Sequence, residues 1–296
     1  MELRLVDGTT IRDVVRPSQG MRHRVFLGVE EGTGREVAAK IELLPGALEP
    51  ERLALEWLTS QGGPAPRLLA AAALDESGEH AGALCLVTER SAGTAPATIG
   101  GWERLGGALA RLARVGWEGS GLPVLAHDEF LRLHERRAGE LSEALGRDLG
   151  GALPPVPRPY AGSPLALTHG DPGPGNFLDD GAAGTIIDWE DAMVAPRGLD
   201  LGRATFIALL GSGPEGYVAR EQAARATAVR AGFLGGSDSS PAGDEPAWWL
   251  TVAGVQFAHW RLERAGEPRV PPWLDAVSVL ESVLASTDGR GSSSCR

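Results

Sequence analysis

The 296-residue chain carries 39 acidic against 28 basic residues, for a net charge of −11, and 43% of its residues are hydrophobic. That length and balance describe a globular protein in water, with one large or two moderate domains. They exclude a nucleic-acid partner, because no basic stretch offers a phosphate track.

The acidic balance suits cationic substrates, or simply keeps the protein soluble. Two cysteines, Cys85 in an apolar run and Cys295 near the C-terminus, are too few for a disulfide framework and fit a reducing compartment. No apolar run is long enough to span a membrane, and Met1 to Leu5 lacks the layout of a signal peptide. The expectation is a cytoplasmic protein without membrane contact, and no obligate protein partner is evident.

The first third reads as a small sheet with one helix. Strands are expected over 11–16, 22–30 and 35–43, with Pro17-Ser18-Gln19-Gly20 and Glu31-Gly32-Thr33-Gly34 as turns. Pro50 opens a helix over 51–59, since proline suits the first helical position. Residues 84–88 form an apolar run of strand length, and 91–101, rich in Gly, Ala, Pro and Thr, reads as a hinge between two lobes. Helix-period apolar stripes follow over 102–115, 128–145, 199–210, 216–231, 248–265 and 273–284. The segment 169–190 reads as loop and short strand, 235–245 as a polar loop, and the small, polar tail 286–296 as disordered. The expected organisation is an N-terminal lobe over 1–90, a C-terminal lobe over 91–285, and the tail.

Chemistry concentrates in Thr168-His169-Gly170-Asp171, Asn176 and Ile187-Asp188-Trp189-Glu190. Pro172-Gly173-Pro174-Gly175 cannot form a helix, so Asp171 and Asn176 flank a rigid, sharply turned loop. A carboxylate there can orient or accept a hydroxyl proton, and an amide oxygen can ligate a hard cation such as Mg²⁺. The alternative is a turn in which Asp171 caps neighbouring amides. Asp188 follows the apolar run Gly184-Thr185-Ile186-Ile187 directly, and three acids at a strand end ask for a cation or solvent. Asp188 is the expected metal ligand; Glu190 is a second ligand or a surface acid. His169 is either a general base or, the preferred reading, a packing histidine that braces the loop.

Lys40 is the only lysine in the chain, in a sequence otherwise committed to arginine. It lies in Val37-Ala38-Ala39-Lys40-Ile41, where alternation puts Ala38 and Lys40 on one face. An inward ammonium needs a phosphate or a carboxylate. At about 100° per residue Glu51 falls on the apolar arc of the following helix, and so is the expected partner; otherwise it only favours the helix N-terminus.

Val-Ala-Ala-Lys, Glu51, the His169-Gly170-Asp171-x4-Asn176 loop and Ile187-Asp188-Trp189-Glu190 together resemble the protein-kinase-like fold, and within it the aminoglycoside phosphotransferase and choline kinase group. The resemblance covers roughly residues 10–285. It implies an α+β, two-lobed fold with a small β-rich N-terminal lobe and a mainly helical C-terminal lobe. It also implies an enzyme that moves the γ-phosphate of ATP, or GTP, to a hydroxyl of a small molecule with Mg²⁺. Asp171 would orient or deprotonate the acceptor, Asn176 and Asp188 would hold the metal, and Lys40, held by Glu51, would meet the α- and β-phosphates. Leu86 to Gly93 looks like the family's interlobe hinge, where backbone groups of Val87, Thr88, Glu89 and Arg90 would meet the adenine. Pro196 to Leu201 looks like a family segment in which Asp200 is structural.

Two departures matter. The chain lacks a Gly-x-Gly-x-x-Gly loop, so Ser18, Gln19 and Gly20 must cover the phosphates; and Trp189-Glu190 replaces Phe-Gly, which disfavours a kinase of proteins. A catalytically silent, nucleotide-responsive binding module is the other alternative. The acceptor pocket is expected beside Asp171. Trp248, Trp249, Phe257 and Trp260 either line it or pack the last helices, with packing preferred. The acids of 237–245 either draw an amine substrate or belong to a solvated connection.

Overall fold

The computed structural model describes residues 2–15, 23–75, 80–146, 164–209, 220–235 and 246–265. Six strands, β1 (Leu3–Arg4), β2 (Thr10–Val15), β3 (Arg24–Glu30), β4 (Glu36–Ile41), β5 (Leu68–Ala73) and β6 (Leu84–Glu89), form one antiparallel sheet in the order β1-β2-β3-β4-β6-β5. Residue alternation gives the sheet two faces. Val37, Ala39 and Ile41 of β4, with Cys85 and Val87 of β6, are buried in a core against Leu3, Ile11 and Phe26. Ala38 and Lys40 face the opposite way, into the central cleft. Helix α1 (Glu49–Gln61) buries Glu51, Ala54, Leu55 and Leu58, and ends at Gly62 in a left-handed conformation that satisfies the Leu58 carbonyl.

The helical lobe comprises α2 (Ile99–Leu112), α3 (His127–Leu145), α4 (Gly198–Leu209), α5 (Arg220–Gly235) and α6 (Pro246–Ala265). Helices α2 and α5 cross at two glycines. A Cβ on Gly106 would sit 1.9 Å from the Val229 carbonyl oxygen, and one on Gly232 would sit 1.9 Å from that of Glu103. Only glycine permits that approach. A core from Leu105 and Leu109 through Phe206 to Val229 and Phe233 runs beneath the sheet and takes in Phe177, Ile186 and Trp189. Among the described residues, no helix is long and apolar enough to cross a membrane.

The α+β, two-lobed architecture is the expected one; local differences have local causes. Strand β5 reads Leu-Leu followed by four alanines, with no β signal, and pairing with β6 overrides its composition. Helix α2 starts at Ile99, inside the segment expected to be hinge, because the Thr98 hydroxyl accepts the Gly101 amide as an N-cap. Strands β1 and β5, together with β7 (Leu165–Thr168) and β10 (Met193–Pro196), were not anticipated. The expected phosphate cover Ser18, Gln19 and Gly20, the expected loop 237–245, the helix expected over 273–284 and the tail lie outside the described residues.

Candidate active site

Strands β7 and β10 pair with Thr168 opposite Met193, and hold the segment 169–192 at both ends. Between them, β8 (Phe177–Leu178) and β9 (Thr185–Ile186) form a hairpin with Phe177 opposite Ile186. The Ile187 amide then donates to the Asn176 carbonyl at 2.9 Å. This register brings Asn176 and Asp188 to one end of the hairpin. Asp188 has φ 67, in the left-handed region that few non-glycine residues adopt.

The Asp171 loop is held from three sides. The buried Asp200 carboxylate accepts the His169 amide at 2.7 Å and the Gly170 amide at 3.1 Å. Burial pushes the Asp200 carboxyl up, and the two donors act against that. The His169 ring is fully buried, edge-on to Trp189 at 4.7 Å. Its Nδ1 accepts the Asp171 amide at 3.1 Å, so its Nε2 carries the proton donated to the Ile187 carbonyl at 2.9 Å. His169 thus joins the Asp171 loop to the Asp188 strand, and both its nitrogens are engaged. Gly170, at φ 83, passes so close to Asp191 that a Cβ would lie 2.2 Å from its carbonyl oxygen.

The Asp171 carboxylate is 44% exposed, open to the cleft. Asn176 Nδ2 donates to the Asp171 main-chain oxygen at 2.9 Å and to its Oδ2 at 3.2 Å, which leaves the amide oxygen for another partner. Arg203 of α4 donates to the Gly170 carbonyl and stands 3.5 Å from Asp171 Oδ1. Arg203 escaped the sequence reading. Its signal was the spacing: it follows Asp200 by three positions, on the same helix face.

Across the cleft, Lys40 Nζ donates to Glu51 Oε2 at 2.5 Å and to Asp188 Oδ1. Burial opposes the Lys40 charge, but the two carboxylates outweigh it and raise its pKa. Burial pushes the Glu51 carboxyl up, while Lys40 and the Trp189 amide draw it down. Glu190 lines the cleft, partly buried, with its Oε2 2.7 Å from His23 Nε2. Among the described residues no three His, Cys, Asp or Glu side chains form a ready-made metal cage. Asp188 and the Asn176 amide oxygen are hard oxygen donors, and fit a small cation that takes its other ligands from phosphates and water.

The cleft measures about 1170 Å³ and runs from the sheet to α6. At the hinge, Leu86 and Thr88 face it, whereas the Val87 side chain lies in the opposite core. The Glu89 amide donates to Arg67 and the Arg90 amide to Glu36, so both are spent within the sheet. Glu89, Arg90 and the next residue, Ser91, line the cleft. On the helical side, Trp248 and Trp249 are buried against His134 and Phe130, while Phe257 and Trp260 stack at 6.0 Å and line the cleft.

A curled sheet whose lysine meets a helix glutamate, set over a helical lobe that presents Asp171 and Asn176, defines the protein-kinase-like fold. Solved kinases share it at low identity. A choline/ethanolamine kinase family protein from Mesorhizobium loti aligns at 20% identity over 93% of this chain and 86% of that one, with a TM-score of 0.53. An aminoglycoside-3'-phosphotransferase of type VIII aligns at 21% identity over 82% and 92%, with a TM-score of 0.52. An amicoumacin kinase, solved with AMP-PNP, Ca²⁺ and Ami, aligns at 14% identity over 94% and 88%, with a TM-score of 0.58. A comparison with curated proteins returned no match. The sequence profile of the phosphotransferase enzyme family matches residues 13–234, and the chain belongs to that family.

Proposed function

We propose that this phosphotransferase is an ATP-dependent kinase of a small, hydroxyl-bearing molecule, with residues 1–90 as the nucleotide lobe and 91–285 as the catalytic lobe. One observation carries the reading: Lys40 lies between Glu51 and Asp188 in the same cleft as Asp171 and Asn176. Lys40 binds the α- and β-phosphates, and Glu51 keeps its ammonium aimed at them. Asn176 and Asp188 hold Mg²⁺, which, when bound, neutralises charge on the β- and γ-phosphates. Asp171 orients the acceptor hydroxyl and takes its proton as the hydroxyl oxygen bonds to the γ-phosphorus and the bond to the ADP oxygen breaks. Arg203 and His169 fix the loop that carries Asp171. The adenine edge meets the hinge between Thr88 and Ser91, where the spent amides of Glu89 and Arg90 leave their carbonyls and the Ser91 amide to serve. Ser18, Gln19 and Gly20 cover the phosphates. Use of ATP, or GTP in its place, suits the cytoplasm.

The test is transfer from γ-labelled ATP with Mg²⁺ across a panel of hydroxylated antibiotics, amino alcohols, sugars and hydroxy acids, with Asp171→Ala beside the wild type. Transfer that needs both an acceptor and Asp171 supports the kinase. Nucleotide binding with no transfer to any acceptor favours the silent binding module.

A further inference from the structure

Three arginines line the helical side of the cleft: Arg137 of α3, Arg203 of α4 and Arg264 of α6. Two have partners. Arg203 holds the Gly170 carbonyl and flanks Asp171, and the Arg264 guanidinium lies over the Trp260 ring, 5.0 Å from its centroid. Arg137 is half-buried and makes no hydrogen bond or ion pair among the described residues. Glu263 and Glu140 act on it through space, but neither bonds it. Glu140 bonds His259 Nε2 and has Arg136 at 3.8 Å, while Glu263 Oε2 stands 3.7 Å from His259 Nδ1. Burial lowers the Arg137 pKa; the Glu263 charge works against that, Arg203 and Arg136 add repulsion, and Glu140 offsets a little of it, but a guanidinium keeps its charge.

A half-buried guanidinium that no described acid bonds directly keeps its donors open for an anion that a ligand supplies. The guanidinium fork matches the paired oxygens of a carboxylate or phosphate. We propose that Arg137 binds an anionic group of the acceptor, so that the molecule phosphorylated is a hydroxyl compound with a carboxylate or phosphate of its own. This rests on the small-molecule kinase reading. Arg203 strengthens the positive field beside Asp171, and the stacked Phe257 and Trp260 cover the acceptor's carbon skeleton. The hydroxyl end is then left for Asp171.

The test measures initial rates of the full chain with Mg–ATP on three acceptor sets. These are hydroxy acids (L-serine, L-homoserine, D-gluconate), a sugar phosphate (D-glucose 6-phosphate) and cationic alcohols (choline, ethanolamine, kanamycin). Transfer is expected to at least one anionic acceptor, and the responding set tells carboxylate from phosphate. Arg137→Gln should raise its KM about ten-fold or more, with kcat and the Kd for Mg–ADP little changed. Arg137→Lys should recover part of the loss, and Arg136→Gln, outside the cleft, should change nothing. Transfer confined to the cationic set, or an unchanged KM in Arg137→Gln, overturns the assignment while phosphotransfer stands. Transfer to no set with Mg–ADP still bound also overturns it. Loss of nucleotide binding as well overturns the kinase reading beneath it.

Discussion

The Lys40 ammonium bonds the Asp188 carboxylate, 148 positions further along the chain, and so ties the sheet to the end of the β8–β9 hairpin. Glu51 takes the same ammonium from α1. One cation therefore joins three elements, and two of its partners lose an ion pair if it is removed. In Lys40→Met, Glu51 is left buried without a counter-ion, and stability in urea should fall by about 3–5 kcal/mol. Adding Glu51→Leu should restore most of that stability while nucleotide binding stays weak. A Lys40→Met variant as stable as the wild type would show that the pair carries no structural weight.

Asp171→Asn keeps the side-chain shape and removes the proton acceptor. The expected result is a kcat lower by about 10²–10⁴-fold with an unchanged Kd for Mg–ADP. Single-turnover kinetics on an acceptor that responds in those panels gives the answer, and a near-normal rate would remove Asp171 from the chemistry.

Metal dependence should localise to Asp188. Chelation by EDTA should weaken ADP binding to the wild type at least about ten-fold, the effect of one lost charge-assisted contact. In Asp188→Ala, calorimetric titration with and without Mg²⁺ should give the same affinity. A metal effect that survives the substitution would place the cation elsewhere.

His169→Phe preserves the ring packed on Trp189 but loses the bonds to Asp171 and Ile187. A stability loss of about 2 kcal/mol is expected, from one orphaned amide and one orphaned carbonyl. The kcat should fall while the Kd for Mg–ADP holds. An unchanged kcat would show that the Asp171 loop needs no brace.

His134 gives a pH prediction for the fold. Its ring is buried edge-on to Trp248, with neither nitrogen hydrogen-bonded among the described residues. Burial, with Arg137 nearby, pushes its pKa down to about 4. Between its unfolded value of about 6.5 and that value, the unfolded chain binds a proton that the folded chain refuses. This contribution is fully present above pH about 6.5 and is lost as pH falls toward 4, by about 3 kcal/mol in all. His134→Phe should flatten the stability curve over that window in urea titrations at stepped pH; a parallel curve would refute the assignment.

Several features were open to reading because they are local. Pro172 and Pro174 bar a helix between Asp171 and Asn176, and strict alternation in β4 turns Lys40 away from Val37, Ala39 and Ile41. Other features had no local trace. Four alanines in β5 gave no sign of a strand, and the stripe on α6 did not say that Trp248 and Trp249 pack while Trp260 reaches the cleft. Glu190 read as a second metal ligand or a surface acid, and its partner His23 lies 167 positions away.

By itself the sequence determined which reactive groups exist and how neighbouring ones are spaced, since backbone restriction and residue alternation act over a few residues. It thereby determined Asp171, Asn176, Asp188 and the cleft-facing Lys40. Only the tertiary structure decided that Arg203 flanks Asp171, that the Glu89 and Arg90 amides are spent within the sheet, and that Arg137 faces the cleft with no acid bonded to it among the described residues. Those outcomes depend on strand register and helix packing, which join residues far apart in the chain and leave no mark on the pattern around any one of them.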